Sequence, residues 1–325
     1  MAIRKIRQKK PVPPPATALE AYKALQKVLK VKPSSDEDGD DNTPDSIDFL
    51  GARVGSLLRT TIELAMSEIA NSTKTPLTSK VPNKNYFAFQ GKFLSRPVNE
   101  ALFVTDLAPI AKFCETLERE LSPRDMRAEF EAWDIELLQK TLYSIVMAFC
   151  CAVDIQKDGD KKTPGTFFEY FIGYVFSHRL KANPVRQVEI HMRGDKKVPL
   201  TTDFLFDPYP QHHKLHVPVK TSTRERIIQV WAHQRVLDGT QGNNLYRGTP
   251  VLMTETKLDK KKLDVVEICL PDQWRVYQGY ISQLYRVFYL DLPEPYESLN
   301  KAFPHPVVVK PFAEFFLEAD ALVSA

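Results

Sequence analysis

Three short runs carry the residue types that phosphodiester chemistry needs. Thr201-Thr202-Asp203-Phe204 sets one acid in an apolar run, and His216-Val217-Pro218-Val219-Lys220-Thr221 brings a lysine 17 positions after it. Side chains alternate faces along a strand, so Phe204 and Phe206 point one way and Asp203 and Leu205 the other. A hairpin between the two runs can set Asp203 beside Lys220. Mg2+-dependent phosphodiester hydrolysis uses such a pair: a carboxylate to hold the cation, and an ammonium to orient the attacking water and offset phosphate charge. The same two residues would also close a hairpin as a plain ion pair. Glu169 supplies a second acid. It is in line with Ile172, Phe176 and Leu180 at helical spacing, on or beside an apolar stripe where a carboxylate needs a partner or a cation. Glu169, Asp203 and Lys220 together make a two-acid, one-lysine set.

Directly after the lysine stands Arg224-Glu225-Arg226. Successive residues at a helix start fan out by about 100° each, so such a triplet can meet adjacent base pairs if that helix end enters the major groove. Arginine donates two bonds to guanine O6 and N7, and a carboxylate accepts from cytosine N4, which together specify adjacent G·C pairs. A solvated helix start with Glu225 paired to its neighbours is the simpler alternative.

The helix with Glu169, the Thr202-Asp203-Phe204 strand and the run Val219 to Arg226 resemble the PD-(D/E)xK core of type II restriction endonucleases. The resemblance is to the group that recognises CCGG, CCNGG or CCWGG cores, and it covers about residues 163 to 257. It implies that Asp203 ligates Mg2+ with the Val219 carbonyl close by, that Lys220 positions the water, and that Glu169 is the outer acid and a further metal ligand. Arg224, Glu225 and Arg226 would read the C·G pairs. It also implies a homodimer on palindromic double-stranded DNA and pairing with a DNA methyltransferase. The chain departs from the pattern at two places. The usual acid two residues before the lysine is Pro218, and the alternative position on the following helix holds His233, with Gln234 beside it. Glu169 with one dominant metal, Glu189 reaching in from the first strand, His233 as ligand or base, and a catalytically silent DNA-binding protein all remain open. A repair or structure-specific nuclease is a further alternative.

These residues must be placed by an α/β (α+β) fold. Thr163-Pro164 opens a helix to Leu180, and strand-like runs follow at Val185 to Met192, Leu200 to Phe206, Lys214 to Thr221, Thr249 to Thr256 and Val265 to Leu270. A helix from Arg224 to Leu237, ended by Asp238-Gly239, makes the third and fourth strands parallel, and short turns make the first three antiparallel. A mixed sheet flanked by helices results. Upstream, apolar residues from Ile47 to Ile69 recur at helical spacing, and helices follow over Leu107 to Leu121 and from Pro123, capped by Ser122, to about Cys151. Residues 46–155 therefore form a helical region and 156–325 the catalytic core.

The chain of 325 residues is 43% hydrophobic and carries a net charge of +3, which excludes a disordered chain, a disulfide miniprotein and a collagen-like rod. The charge is unevenly spread. Residues 1 to 32 carry nine Lys/Arg against Glu20, whereas 33 to 48 carry seven acids and no base. Residues 1–45 read as a flexible basic and acidic tail with one short helix, Ala18 to Leu29; as a basic arm it would attract phosphates, with the acids beside it cancelling that field. The apolar run Leu142 to Val153 is short for a bilayer, and the N-terminus lacks a signal-peptide pattern, so a cytoplasmic protein with reduced cysteines is expected. His212, His213 and His216 read as a solvated hairpin loop. Lys260-Lys261-Lys262 reads as a turn, with phosphate contact as the alternative, and Tyr86, Phe87 and Phe89 or Trp133 could stack on an extruded base, although aromatic runs more often form core, so they are left unassigned.

Overall fold

Alternating apolar residues downstream of Leu180 build a mixed sheet, and the helices before and after it cover its faces. The computed structural model describes residues 14–30, 46–194, 196–223, 227–301 and 306–324. Val185–His191 and Lys197–Phe206 form an antiparallel hairpin, and Lys214–His216 pairs antiparallel with the second of them. The chain continues past Pro218 into Val219–Lys220. This run lies parallel to Tyr246–Gly248 and Val251–Leu252, reached through the crossover helix Ile228–Gln241. The ladder is unbroken across Pro218, because Thr249 N–H donates to the His216 carbonyl at 2.7 Å and Val251 N–H to the Pro218 carbonyl at 2.8 Å. Val287–Tyr289 and Val309–Pro311 extend the sheet in parallel. The α/β architecture and the antiparallel-then-parallel order match the sequence reading.

Helix Lys162–Leu180 packs on this sheet. Phe176 meets Phe206 with ring centroids 5.5 Å apart, and Gly173 lets Phe49 and Phe204 approach so closely that a Cβ there would stand 2.4 Å from the Phe49 ring. Helix Ile135–Gln156 is long and apolar enough to cross a membrane, but 89% of its apolar window is buried inside the protein. It is the central helix of a core that runs from Ala18 to Val323.

Several elements differ from the sequence reading. The first long helix begins at Val54, because Ser46 bridges to Val185 and Asn183 Oδ1 accepts the Phe49 and Leu50 N–H groups, holding Ile47 to Leu50 out of the helix. The region read as helical over 46–155 also carries strands: Thr73–Ser79, Tyr86–Gln90 and Val98–Asn99 join Thr256–Asp259 and Asp264–Glu267 in a second sheet. The helix expected from Pro123 to Cys151 is two, Pro123–Glu131 and Ile135–Gln156, since Asp134 accepts Glu136 N–H at 2.9 Å and starts a new helix. Crossover helix Ile228–Gln241 runs through Gly239 rather than stopping at it. Ala18–Leu29 forms as read. Its Tyr22, Leu25 and Leu29 are buried, and Ala18 N–H donates to Glu68 at 2.8 Å, so this helix is docked on the core. Residues 1–13 and 31–45 of the tail lie outside the described residues.

Candidate active site

Asp203 stands where two strands of the sheet part. Val217 N–H donates to the Phe204 carbonyl at 2.9 Å. In this register the next rung would join Val219 N–H to the Thr202 carbonyl; Val219 N–H instead donates to Asp203 Oδ2 at 2.8 Å. The same strand bulges on its other side, since Val185 faces Leu205 while Gln187 faces Thr201. Bulges of this kind re-aim side chains beside active sites, and this one lies across Thr202 to Phe204. Phe204 and Phe206 anchor the strand in the main core, and Leu205 enters a separate cluster with Leu237 and Tyr246.

Lys220 Nζ donates to Asp203 Oδ2 at 2.6 Å, and the lysine side chain is 33% exposed, so the pair reaches the surface. Within a strand the N–H and C=O of one residue point the same way; the Val219 carbonyl is therefore directed to the side of the strand on which Asp203 sits. Glu169 reaches the same place from helix Lys162–Leu180. Its carboxyl is pushed up to about 7, first by burial and then by the negative charge of Asp203, with Arg186 and Lys220 opposing. Arg186 approaches it at 3.7 Å. His233, on the crossover helix, is held below the usual imidazole range by burial, and the charges of Asp203 and Lys220 act on it in opposite directions.

Beneath the acid lies a buried network. His216 Nε2 meets Thr202 Oγ1 at 3.0 Å and its Nδ1 meets Gln234 Oε1 at 3.0 Å. Gln234 Nε2 in turn donates to the Tyr246 carbonyl and to Asp238. Because the Gln234 oxygen can only accept, His216 carries its proton on Nδ1 and accepts the Thr202 hydroxyl on Nε2. Burial lowers the His216 pKa to about 4, which keeps the ring neutral. The expectation of a solvated loop thus fails for His216, which is a fully buried strand residue. Arg186 and this network escaped the sequence reading: strand alternation places a residue on a face but does not reveal a bulge or a helix-to-strand bond.

Glu189 does not reach the cluster. It lies opposite Pro199 along the hairpin and pairs with Lys197 at 2.9 Å near the exposed end. Arg224, Glu225 and Arg226 lie outside the described residues. Of the lysine run, Lys260 pairs with Asp158 at 2.5 Å. A groove of about 440 Å³ opens next to Thr221 and Ser222, with Lys161, Lys257 and Arg96 among its walls.

Asp203, Glu169 and the Val219 carbonyl offer hard oxygen donors of the kind Mg2+ takes. Among the described residues, no group of three or more His, Cys, Asp or Glu side chains forms a metal-binding cluster. Two neighbouring carboxylates and a main-chain carbonyl are the available set, and a divalent cation between the carboxylates would relieve their repulsion.

No protein-family model and no curated protein matches the chain. Among solved structures, the type IIP restriction endonuclease Kpn2I matches with a TM-score of 0.67 and 27% identity, over 82% of this chain and 90% of that one. A complex of restriction endonuclease PspGI with substrate DNA matches with a TM-score of 0.38 and 12% identity, over 66% of this chain and 88% of that one. The chain has the fold of a restriction endonuclease, and its likeness to Kpn2I supports a sequence-specific DNA nuclease.

Proposed function

We propose that the protein is a Mg2+-dependent type II restriction endonuclease that hydrolyses both strands of double-stranded DNA at a palindromic site with a CCGG- or CCNGG-like core. The observation that carries this reading is the junction of Asp203, Lys220 and Glu169 at the parting of two strands. Asp203, Glu169 and the Val219 carbonyl would hold the cation. A bound divalent cation supplies Lewis-acid stabilisation of the phosphate charge and lowers the pKa of water. Lys220 then has two tasks: its ammonium orients the attacking water and offsets charge that develops on the phosphate. Arg224, Glu225 and Arg226 would read the G·C pairs. Two copies related by a two-fold axis would meet the two halves of the palindrome, and a cognate DNA methyltransferase would protect the host sequence.

Incubation of plasmid DNA with Mg2+, followed by sequencing of fragment ends, tests the reading. Discrete fragments that end within one short palindrome are expected. Absence of cutting on substrates rich in CCGG, CCNGG and CCWGG, with binding retained, would favour the second reading, a DNA-binding protein without catalysis. The small carboxylate set motivates that alternative. Preference for ends or junctions over sequence would instead point to a structure-specific nuclease.

A further inference from the structure

Past Lys220 the chain stays tethered to the neighbouring strand. Met253 N–H donates to the Lys220 carbonyl at 3.1 Å, and Thr254 N–H to the Thr221 carbonyl at 3.3 Å. At the next step a side chain takes over from the main chain. Both carboxylate oxygens of Glu255 lie 3.1 Å from Thr223 N, whose N–H they accept, and the Tyr289 hydroxyl donates to Glu255 Oε1 at 2.8 Å. Glu255 and Thr223 are each 1% exposed. The Thr223 hydroxyl also lies 3.4 Å from that of Tyr296, which accepts Leu270 N–H at 3.1 Å. Four residues later Ile227 is buried in a cluster with Trp231 and Trp274. Residues 224–226 therefore connect two buried anchor points, one apolar and one built on a carboxylate.

Stability alone does not call for that carboxylate. Burying an acid carries a desolvation penalty, and well-packed apolar residues often replace buried charges at no loss of stability. Among its described bonds, the acid fixes the position of one main-chain N–H, which a hydrocarbon cannot do. We propose that Glu255, held by Tyr289, is a positioning residue for sequence recognition: it sets the main chain at Thr223 and so the register in which Arg224, Glu225 and Arg226 meet the bases. The inference rests on the reading that this triplet recognises DNA.

The test compares three variants of the full-length protein, Glu255→Gln, Tyr289→Phe and Arg226→Ala, on the preferred site and on each of its single-base variants, alongside thermal unfolding midpoints. Glu255→Gln keeps the volume but removes the charge that grips Thr223, and Tyr289→Phe removes the hydroxyl that orients the carboxylate. Each is expected to lower the ratio of cleavage at the preferred site to cleavage at single-base variants by about ten-fold, the scale of one charge-assisted hydrogen bond. A purely structural role would slow every sequence by the same factor and leave the ratio intact, and that result overturns the proposal. If Arg226→Ala loses site preference while folded Glu255→Gln and Tyr289→Phe keep it, the positioning role alone falls. If Arg226→Ala keeps its preference, the recognition reading fails and takes the proposal with it. Should Glu255→Gln not fold, Tyr289→Phe decides.

Discussion

Asp203 accepts the Lys220 ammonium at 2.6 Å and the Val219 N–H at 2.8 Å on the same oxygen, Oδ2. The acid is thereby fixed by the strand that carries the lysine, and the lysine is held over the opening between the strands. Replacing Lys220 by Ala leaves the Val219 bond to position Asp203. Single-turnover cleavage should then fall by about 10²- to 10³-fold, as when one preorganised electrostatic donor is removed. Gel-shift affinity for the same DNA should change little. Equal loss of binding and cutting would show that Lys220 serves the fold or the DNA contact instead.

Glu169 sits where its charge is disfavoured. Burial and Asp203 both work against ionisation, and Arg186 at 3.7 Å only partly compensates. Glu169→Gln removes that repulsion while keeping the shape. In EDTA the variant should unfold at a temperature equal to or above that of the parent. In activity assays it should need a several-fold higher Mg2+ concentration for half-maximal cleavage. A parent-like Mg2+ requirement would remove Glu169 from the cation site.

The half of the fold that carries the candidate site was legible because its signals are local. Phe204 and Phe206 alternate with Asp203 and Leu205, and a helix between the Lys220 strand and Val251 forces a parallel crossover. What the sequence hid depends on distant partners. Pro76 and the polar residues around it give Thr73–Ser79 little strand character; the strand forms because residues 73–77 pair with Tyr86–Gln90 and its last two residues, Thr78 and Ser79, pair with Asp264 and Val265, almost 190 positions away. The docking of Ala18–Leu29 was hidden by the charge-rich segments that flank it, which mask the apolar face of Tyr22 and Leu25. Arg186 and His216 looked ordinary in the sequence, and only the bulge across Thr202 to Phe204 gives them a place at the site.

The helix that carries Glu169 is tied at its far end to the C-terminal helix Phe315–Val323. Arg179 is fully buried, makes two bonds to Asp320 at 3.1 and 2.8 Å, and donates to the Phe316 carbonyl. Asp320→Ala would leave a buried guanidinium without its counter-charge. The cost for a fully buried pair is about 3–5 kcal/mol. Because Asp320 is 38% exposed, water can reach the gap, and a loss of roughly 2 kcal/mol in urea unfolding is expected after that discount. Arg179→Met together with Asp320→Ala should recover part of it, since no charge is then stranded. A double variant less stable than Asp320→Ala would refute the account.

His178 gives the protein an acid-sensitive joint between two helices. Its Nδ1 lies 2.8 Å from the Leu117 carbonyl at the end of helix Leu107–Glu118, and its ring packs against Tyr174 with centroids 4.2 Å apart and planes tilted by 44°. Burial lowers its pKa to about 4 from an ordinary value of 6.5. The unfolded chain therefore binds a proton that the folded protein resists. The stability held by the neutral ring is complete above about pH 6.5 and is lost as pH falls from there toward 4, to an extent of up to about 3 kcal/mol. His216 has the same sign over the same window. His178→Gln removes one of these two titrations and keeps a donor for Leu117, so between pH 6.5 and 4.5 its unfolding free energy should fall less steeply than the parent's, by up to one proton in the linkage slope. Parallel pH profiles for parent and variant would mean that His178 is charged in the folded protein and that its burial does not govern its titration.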